Sequence, residues 1–211
     1  MNLPVVDHQT KILVEQGHKV FQAHRFANDE CSHVSRLARW AEFPANAKVI
    51  DLGCGTGEVA KIMKSLRPDL DFCLVNISQF QLDYCPSFTR HCCDFCDVPE
   101  ASNSFDAAMF CFSIGHSDAS AAMQEAARLL KVGGVLFIYD MVRESGDNGI
   151  MELVSYQVNR RAAMQCAAVG FRLDFYMEPQ DDGNYGRAVL GDDFETVFGG
   201  TRPAIWRFVK A

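Results

Sequence analysis

The chain has 211 residues, 48% of them hydrophobic and 22% charged, and 27 acidic against 20 basic side chains leave a net charge of −7. That length suits one compact domain, and charged residues interrupt every apolar run before it could cross a bilayer, so membrane insertion is excluded. An acidic balance with no basic stripe argues against nucleic acid as a partner.

Nine cysteines, an odd number, cannot all pair. Met1 to Thr10 lack the basic start and apolar stretch of a secretory signal. Free thiols in a cytoplasmic protein are therefore expected. Two helices fill the first forty residues, with Leu13, Val20 and Phe21 on one apolar face and Val34, Leu37, Ala38 and Ala41 on another. From Lys48 the pattern alternates. A strand over Lys48–Leu52 leads to a helix from Glu58 that stops before Pro68. A strand at Phe72–Asn76, a short helix near Gln79–Tyr84 and a weak strand at Arg90–Cys93 follow. Next come a strand at Phe105–Cys111, an Ala-rich helix at Ala119–Leu130 with Asp118 as its N-cap, and a strand at Gly133–Asp140. A long helix over Ile150–Val169 closes at Gly170, and Phe171–Met177 and Ala204–Val209 supply the last strands. Between them Gln180–Gly200 reads as a long polar loop, its five carboxylates (Asp181, Asp182, Asp192, Asp193 and Glu195) forming a solvated surface.

Strands alternating with helices predict an α/β fold: one mostly parallel sheet with helices on both faces. In such sheets a ligand binds beyond the carboxyl ends of the strands, so the loops there are the ones to search. The strongest signal lies in the first of them. Val49-Ile-Asp-Leu-Gly-Cys-Gly-Thr-Gly-Glu58 is a buried strand, a glycine-rich turn and a helix start. Its spacing is G-x-G-x-G and not the G-x-G-x-x-G of dinucleotide sites. Asp51 stands two places before Gly53, where a carboxylate would repel a pyrophosphate and welcome a cation. A hydride-transferring, NAD-dependent dehydrogenase is therefore a weaker alternative.

Asp51-Leu-Gly-Cys-Gly-Thr-Gly57 resembles motif I of the class I S-adenosylmethionine-dependent methyltransferases. The resemblance implies a Rossmann-like sheet of seven strands with the last one antiparallel, and S-adenosylmethionine as cofactor, leaving as S-adenosylhomocysteine. It covers residues 45–141 and divides a single domain into an N-terminal helical cap (1–44), a cofactor-binding half (45–141) and a substrate-side half (142–211). It implies cofactor contacts from Asp51, Gly53, Cys54, Gly55 and Gly57. Asn76, Ile77 and Gln81 would hold the ribose side, with an amide where the family usually has an acid. That variant resembles the cyclopropane-synthase and isoprenoid C-methyltransferase branch. Asp94 would accept from the adenine amino group, Phe95 would flank the ring, and Cys111 would line the site.

The chemistry is placed in Cys111-Phe-Ser-Ile-Gly-His-Ser-Asp118, after the fourth strand. His116 is the candidate base, because imidazole titrates near neutrality, and Tyr139 is a second catalytic candidate. Ser113-Ile-Gly-His116 resembles the loop of the C-methylating branch, although Phe112 stands where those enzymes carry an acid. Arg25 is expected as a solvated surface residue, on helices that carry His24 and His33. His91-Cys-Cys-Asp-Phe-Cys96 has no second paired-cysteine motif, so no metal is expected there. The function these features imply is methyl transfer to a small organic molecule, with carbon favoured over oxygen or nitrogen. The alternative from another class is an accessory protein that binds the cofactor without turnover.

Overall fold

A computed structural model of the chain describes residues 3–85, 87–142, 170–180 and 184–211. Seven strands form one sheet: β1 (Lys48–Leu52), β2 (Asp71–Asn76), β3 (Thr89–Cys92), β4 (Phe105–Cys111), β5 (Leu130–Val142), β6 (Phe171–Met177) and β7 (Arg202–Lys210). Their order is β3-β2-β1-β4-β5-β7-β6. β1 pairs in parallel with both β2 and β4, and β7 runs antiparallel between β5 and β6. The strand order reverses between β1 and β4, so the carboxyl ends of those two strands frame the crevice where ligands bind in open α/β sheets.

Period-two alternation sorts the strand residues into two cores. Val49, Met109, Phe137, Tyr139 and Ile205 face α2 (Glu30–Ala41) and α3 (Glu58–Leu66), while Ile50, Cys73, Phe110, Ile138 and Trp206 face α5 (Ala119–Leu129). α1 (Leu3–Glu15) and the short α4 (Gln79–Leu82) meet near the end of β2. Caps fall where short polar side chains precede the helices. Asp29 accepts from Ser32 N–H at 2.7 Å, Ser78 from Gln81 N–H at 3.0 Å, and Asp118 from Ala121 N–H at 2.9 Å.

Several boundaries differ from expectation. β5 begins at Leu130 and β3 at Thr89, and α4 stops at Leu82. Val20 and Phe21 do not share a helix with Leu13, because α1 ends at Glu15 and Gly17 turns the chain with φ 85. Val20 reaches the core from an irregular segment instead. The polar stretch 180–200 is not a loop throughout. It holds α6 (Asn184–Leu190) and α7 (Asp193–Phe198), the latter anchored by buried Phe194. The helix expected over Ile150–Val169 lies outside the described residues.

Candidate active site

The site begins where β1 ends. Strand alternation turns Asp51 inward, where it is 1% exposed and neither carboxylate oxygen has a hydrogen-bond partner among the described residues. Burial alone pushes its pKa up to about 8. The turn that follows hangs from β2, with Gly53 and Cys54 both donating their N–H groups to the Val75 carbonyl, at 2.9 and 3.0 Å. Gly53, Gly55 and Gly57 all have positive φ, which glycine alone adopts without strain. A Cβ on Gly53 would collide with Ser113, and one on Gly57 with Cys85, whereas a Cβ on Gly55 would enter open space. Two of the glycines let the turn pack and the third keeps its outer face open. Cys54, on this turn, lies beside Cys85 from the segment after α4, and the neighbouring thiol together with burial raises Cys54 well above the usual thiol range.

At the end of β2 two amides and a hydroxyl form a hydrogen-bonded chain. Asn76 Nδ2 donates to Gln81 Oε1 at 2.7 Å, and Gln81 Nε2 donates to Thr10 Oγ1 at 2.7 Å, all buried. Ser78 Oγ donates to Asp7 at 2.6 Å, so α1 is fastened over α4 at two points. The sequence pointed to Asn76 and Gln81 but not to Asp7 or Thr10. Those partners lie 71 residues away, and no local pattern marks them.

Beside Asn76, Ile77 is 39% exposed, an apolar side chain at the rim of the crevice. On the loop after β3, Asp94 accepts from Cys96 N–H at 2.9 Å and is exposed. The Phe95 ring packs edge-on against Phe110, and its Cδ1 edge stands 3.5 Å from where a Cβ on Gly53 would lie, so the ring also borders the glycine turn. At the end of β4, burial and the neighbouring Asp51 and Asp140 carboxylates raise the Cys111 thiol well above its ordinary range. The turn, Asn76–Ile77, Asp94–Phe95 and Cys111 thus all occupy one end of the sheet, on four adjacent strands.

Phe112 leaves β4 with φ 60, a left-handed backbone that L residues rarely adopt, and its N–H donates to the Tyr139 carbonyl at 2.8 Å. Ser113 Oγ donates to the Leu52 carbonyl at 2.6 Å, seating the loop on β1. His116 closes a 3-10 turn over Ile114–His116 and is half-buried. Tyr139 is fully buried, and its hydroxyl donates to the His24 carbonyl. The segment around His24 covers the strand ends, and the rings of Phe112, Phe194 and Phe198 stand 6.0–6.4 Å from the His24 ring. Arg25 is not a surface residue. It is 2% exposed, donates to the Val20 carbonyl, pairs with Glu30 at 3.3 Å and stacks 3.3 Å from the centre of the Tyr185 ring. Glu30 also accepts from the backbone N–H groups of Lys19 and Val20, and Thr56 Oγ1 donates to the Lys19 carbonyl. His24 lies outside any helix, and His33 lies on α2 as expected.

Comparison with known proteins fits this geometry. Residues 50–138 match a family described as a methyltransferase domain. The 25S rRNA (adenine(645)-N(1))-methyltransferase of Schizosaccharomyces pombe is 30% identical over 102 residues, 48% of this chain and 30% of that protein. The chain therefore spans under a third of that relative's length. A geranyl diphosphate methyltransferase solved with its cofactor superposes with TM-score 0.76 at 14% identity, over 86% of each chain. The [4+2]-cyclase SpnF superposes with TM-score 0.82 at 19% identity, over 99% of this chain and 94% of that one.

Proposed function

We propose that this chain, whose residues 50–138 match a methyltransferase domain, transfers a methyl group from S-adenosylmethionine to a small organic acceptor, with carbon the favoured target atom. The observation that carries this reading is Asp51: a buried carboxylate without a partner among the described residues, beside a glycine turn whose outer face is open. A buried charge needs a counter-charge, and a cationic amino-acid portion of the cofactor would supply it where a pyrophosphate would be repelled. Gly53, Cys54, Gly55 and Gly57 would pass beneath that portion. Asn76 and Gln81 would hold the ribose hydroxyls, since an amide both donates and accepts. Ile77 and Phe95 would flank the adenine, with Asp94 accepting from its amino group and Cys111 closing the inner wall. When bound, the cofactor supplies an electrophilic methyl group.

What this chain adds is position and a base. His116, on the loop seated by Ser113, would take the proton that a carbon acceptor must lose. The rings of Phe112, Phe194 and Phe198 around His24 favour an apolar acceptor over a charged one. Calorimetry with S-adenosylmethionine, S-adenosylhomocysteine and NAD tests the cofactor assignment. Both sulfur ligands are expected to bind and NAD to fail; preference for NAD would overturn the proposal. A second reading, methylation of a base in RNA, is favoured by the S. pombe relative, whose name gives rRNA as its substrate. The net charge of −7 weighs against it.

A further inference from the structure

A group of potential metal ligands lies away from the glycine turn, beneath the loop that joins β3 to β4. Cys73 of β2, His91 of β3 and Glu100 of that loop bring one sulfur, one nitrogen and one carboxylate oxygen within 4.8 Å of one another. Cys73 is 1% exposed and pairs across the parallel ladder with Thr89, two residues before His91, so both side chains leave the same face of the sheet. His91 Nε2 and Glu100 Oε1 are 2.9 Å apart, and Glu100 Oε2 lies 3.9 Å from Lys48 Nζ. Glu100 is held from behind: Arg128 donates to its carbonyl at 2.7 Å and to the Val98 carbonyl at 2.9 Å, while Glu125 accepts from Val98 N–H at 2.9 Å.

We propose that Cys73, His91 and Glu100 form a binding site for one zinc-type divalent cation. The donor set suits it. Zinc takes thiolate sulfur at about 2.3 Å and imidazole nitrogen or carboxylate oxygen at about 2.0–2.2 Å. Donors so close together converge on one ion with small side-chain movements. A thiolate and a carboxylate together carry the two negative charges that balance a divalent ion, and the displaced thiol proton passes to solvent. Glu100 Oε1 would turn to the metal while Oε2 keeps Lys48, the kind of outer partner that orients a ligating carboxylate. Three protein ligands leave a fourth position for water. The site differs from the run His91–Cys96 that the sequence offers, since Cys92 is exposed and the partners of His91 come from β2 and from Glu100.

The test is titration of the full chain with Zn2+ against a chromophoric chelator, paired with Co2+ absorption, in which a thiolate ligand produces a near-ultraviolet charge-transfer band. One metal per chain and a cobalt–thiolate band are expected. Cys73→Ser should abolish the band. His91→Gln and Glu100→Gln should each weaken binding at least about tenfold, the smallest loss typical of removing even an outer-shell partner. Cys93→Ser and Cys96→Ser should change neither affinity nor spectrum. If Cys73→Ser does not fold, the two variants at the half-buried His91 and Glu100 carry the test. Absence of stoichiometric binding, full affinity in His91→Gln and Glu100→Gln, or loss of binding in Cys93→Ser would overturn the site.

Discussion

Asp51 is enclosed at the end of β1 with its pKa raised to about 8, and two opposed consequences follow. In the ligand-free chain the folded state holds a proton that the unfolded state, with an ordinary carboxyl value of 3.8, has released across the range from about pH 4 to pH 8. The group therefore lowers stability progressively as pH rises through that window, by at most about 1.4 kcal/mol per pH unit. Asp51→Asn should flatten this slope in thermal melts at pH 5, 6, 7 and 8. The same substitution should cost cofactor affinity. Binding a cation beside Asp51 requires the carboxylate, so wild-type affinity should climb with pH by up to about tenfold per unit and level off near pH 8, while Asp51→Asn binds weakly at every pH. An affinity that ignores pH in the wild type would remove Asp51 from the cofactor's contacts. His116→Gln makes the complementary case: cofactor affinity should hold, and the ascending limb of the pH–rate profile on a verified acceptor should disappear with about a 100-fold or greater loss of rate. Asp51 was legible in the sequence because its place two residues before Gly53 is a local fact. The buried pairing of Arg25 was not, because Glu30 and Tyr185 reach it only through the fold.

Within the β1–α3 turn, neighbouring glycines are required for different reasons. Gly55 has open space where a Cβ would stand, so Gly55→Ala meets only the left-handed backbone penalty, about 1–2 kcal/mol. Gly57→Ala carries that penalty and also drives a methyl into Cys85 and Leu74, adding about 1–3 kcal/mol of overpacking. Thermal denaturation should therefore rank Gly57→Ala well below Gly55→Ala. Cofactor calorimetry should find Gly55→Ala impaired even where it remains folded, because the added methyl points to the open side of the turn. A stable Gly55→Ala with undiminished affinity would place the ligand elsewhere. The spacing of these glycines was readable, as was the cap at Asp118, since each depends on residues a turn apart. The elements around 184–198 were not. Five carboxylates between 181 and 195 read as solvated loop, and only burial of Phe194 against the N-terminal segment reveals α7 as a packed helix. The contacts that anchor α1 were hidden for the same reason, since Asp7 and Thr10 gain partners only once the chain returns at Ser78 and Gln81.

Across the whole molecule, the alternation of strands and helices from Lys48 onward foretold the parallel sheet, and the resemblance to motif I foretold the antiparallel last strand. β7, between β5 and β6, extends the sheet away from the β1–β4 reversal. The acceptor is less legible, because it depends on what the strand-end loops and the cover enclose together. Charge supplies the argument that operates at this scale. An acceptor carried on RNA would have to be held through phosphates, and each neutralised phosphate ties binding to salt, so several contacts would lower affinity by roughly 10³-fold or more between 50 and 200 mM salt. A chain with seven more acidic than basic side chains is poorly suited to that. An apolar small molecule seated among Phe112, Phe194 and Phe198 has no such dependence. Incubating the chain with S-adenosylmethionine and either a metabolite extract or total cellular RNA, at low and high salt, separates the two through release of S-adenosylhomocysteine. Release with the metabolite extract, nearly independent of salt and accompanied by a product heavier by one CH₂, is expected. Release only with RNA, collapsing as salt is raised, would move the assignment to a nucleic-acid acceptor. Tight cofactor binding with no release in either arm would make this a binding protein on a methyltransferase fold.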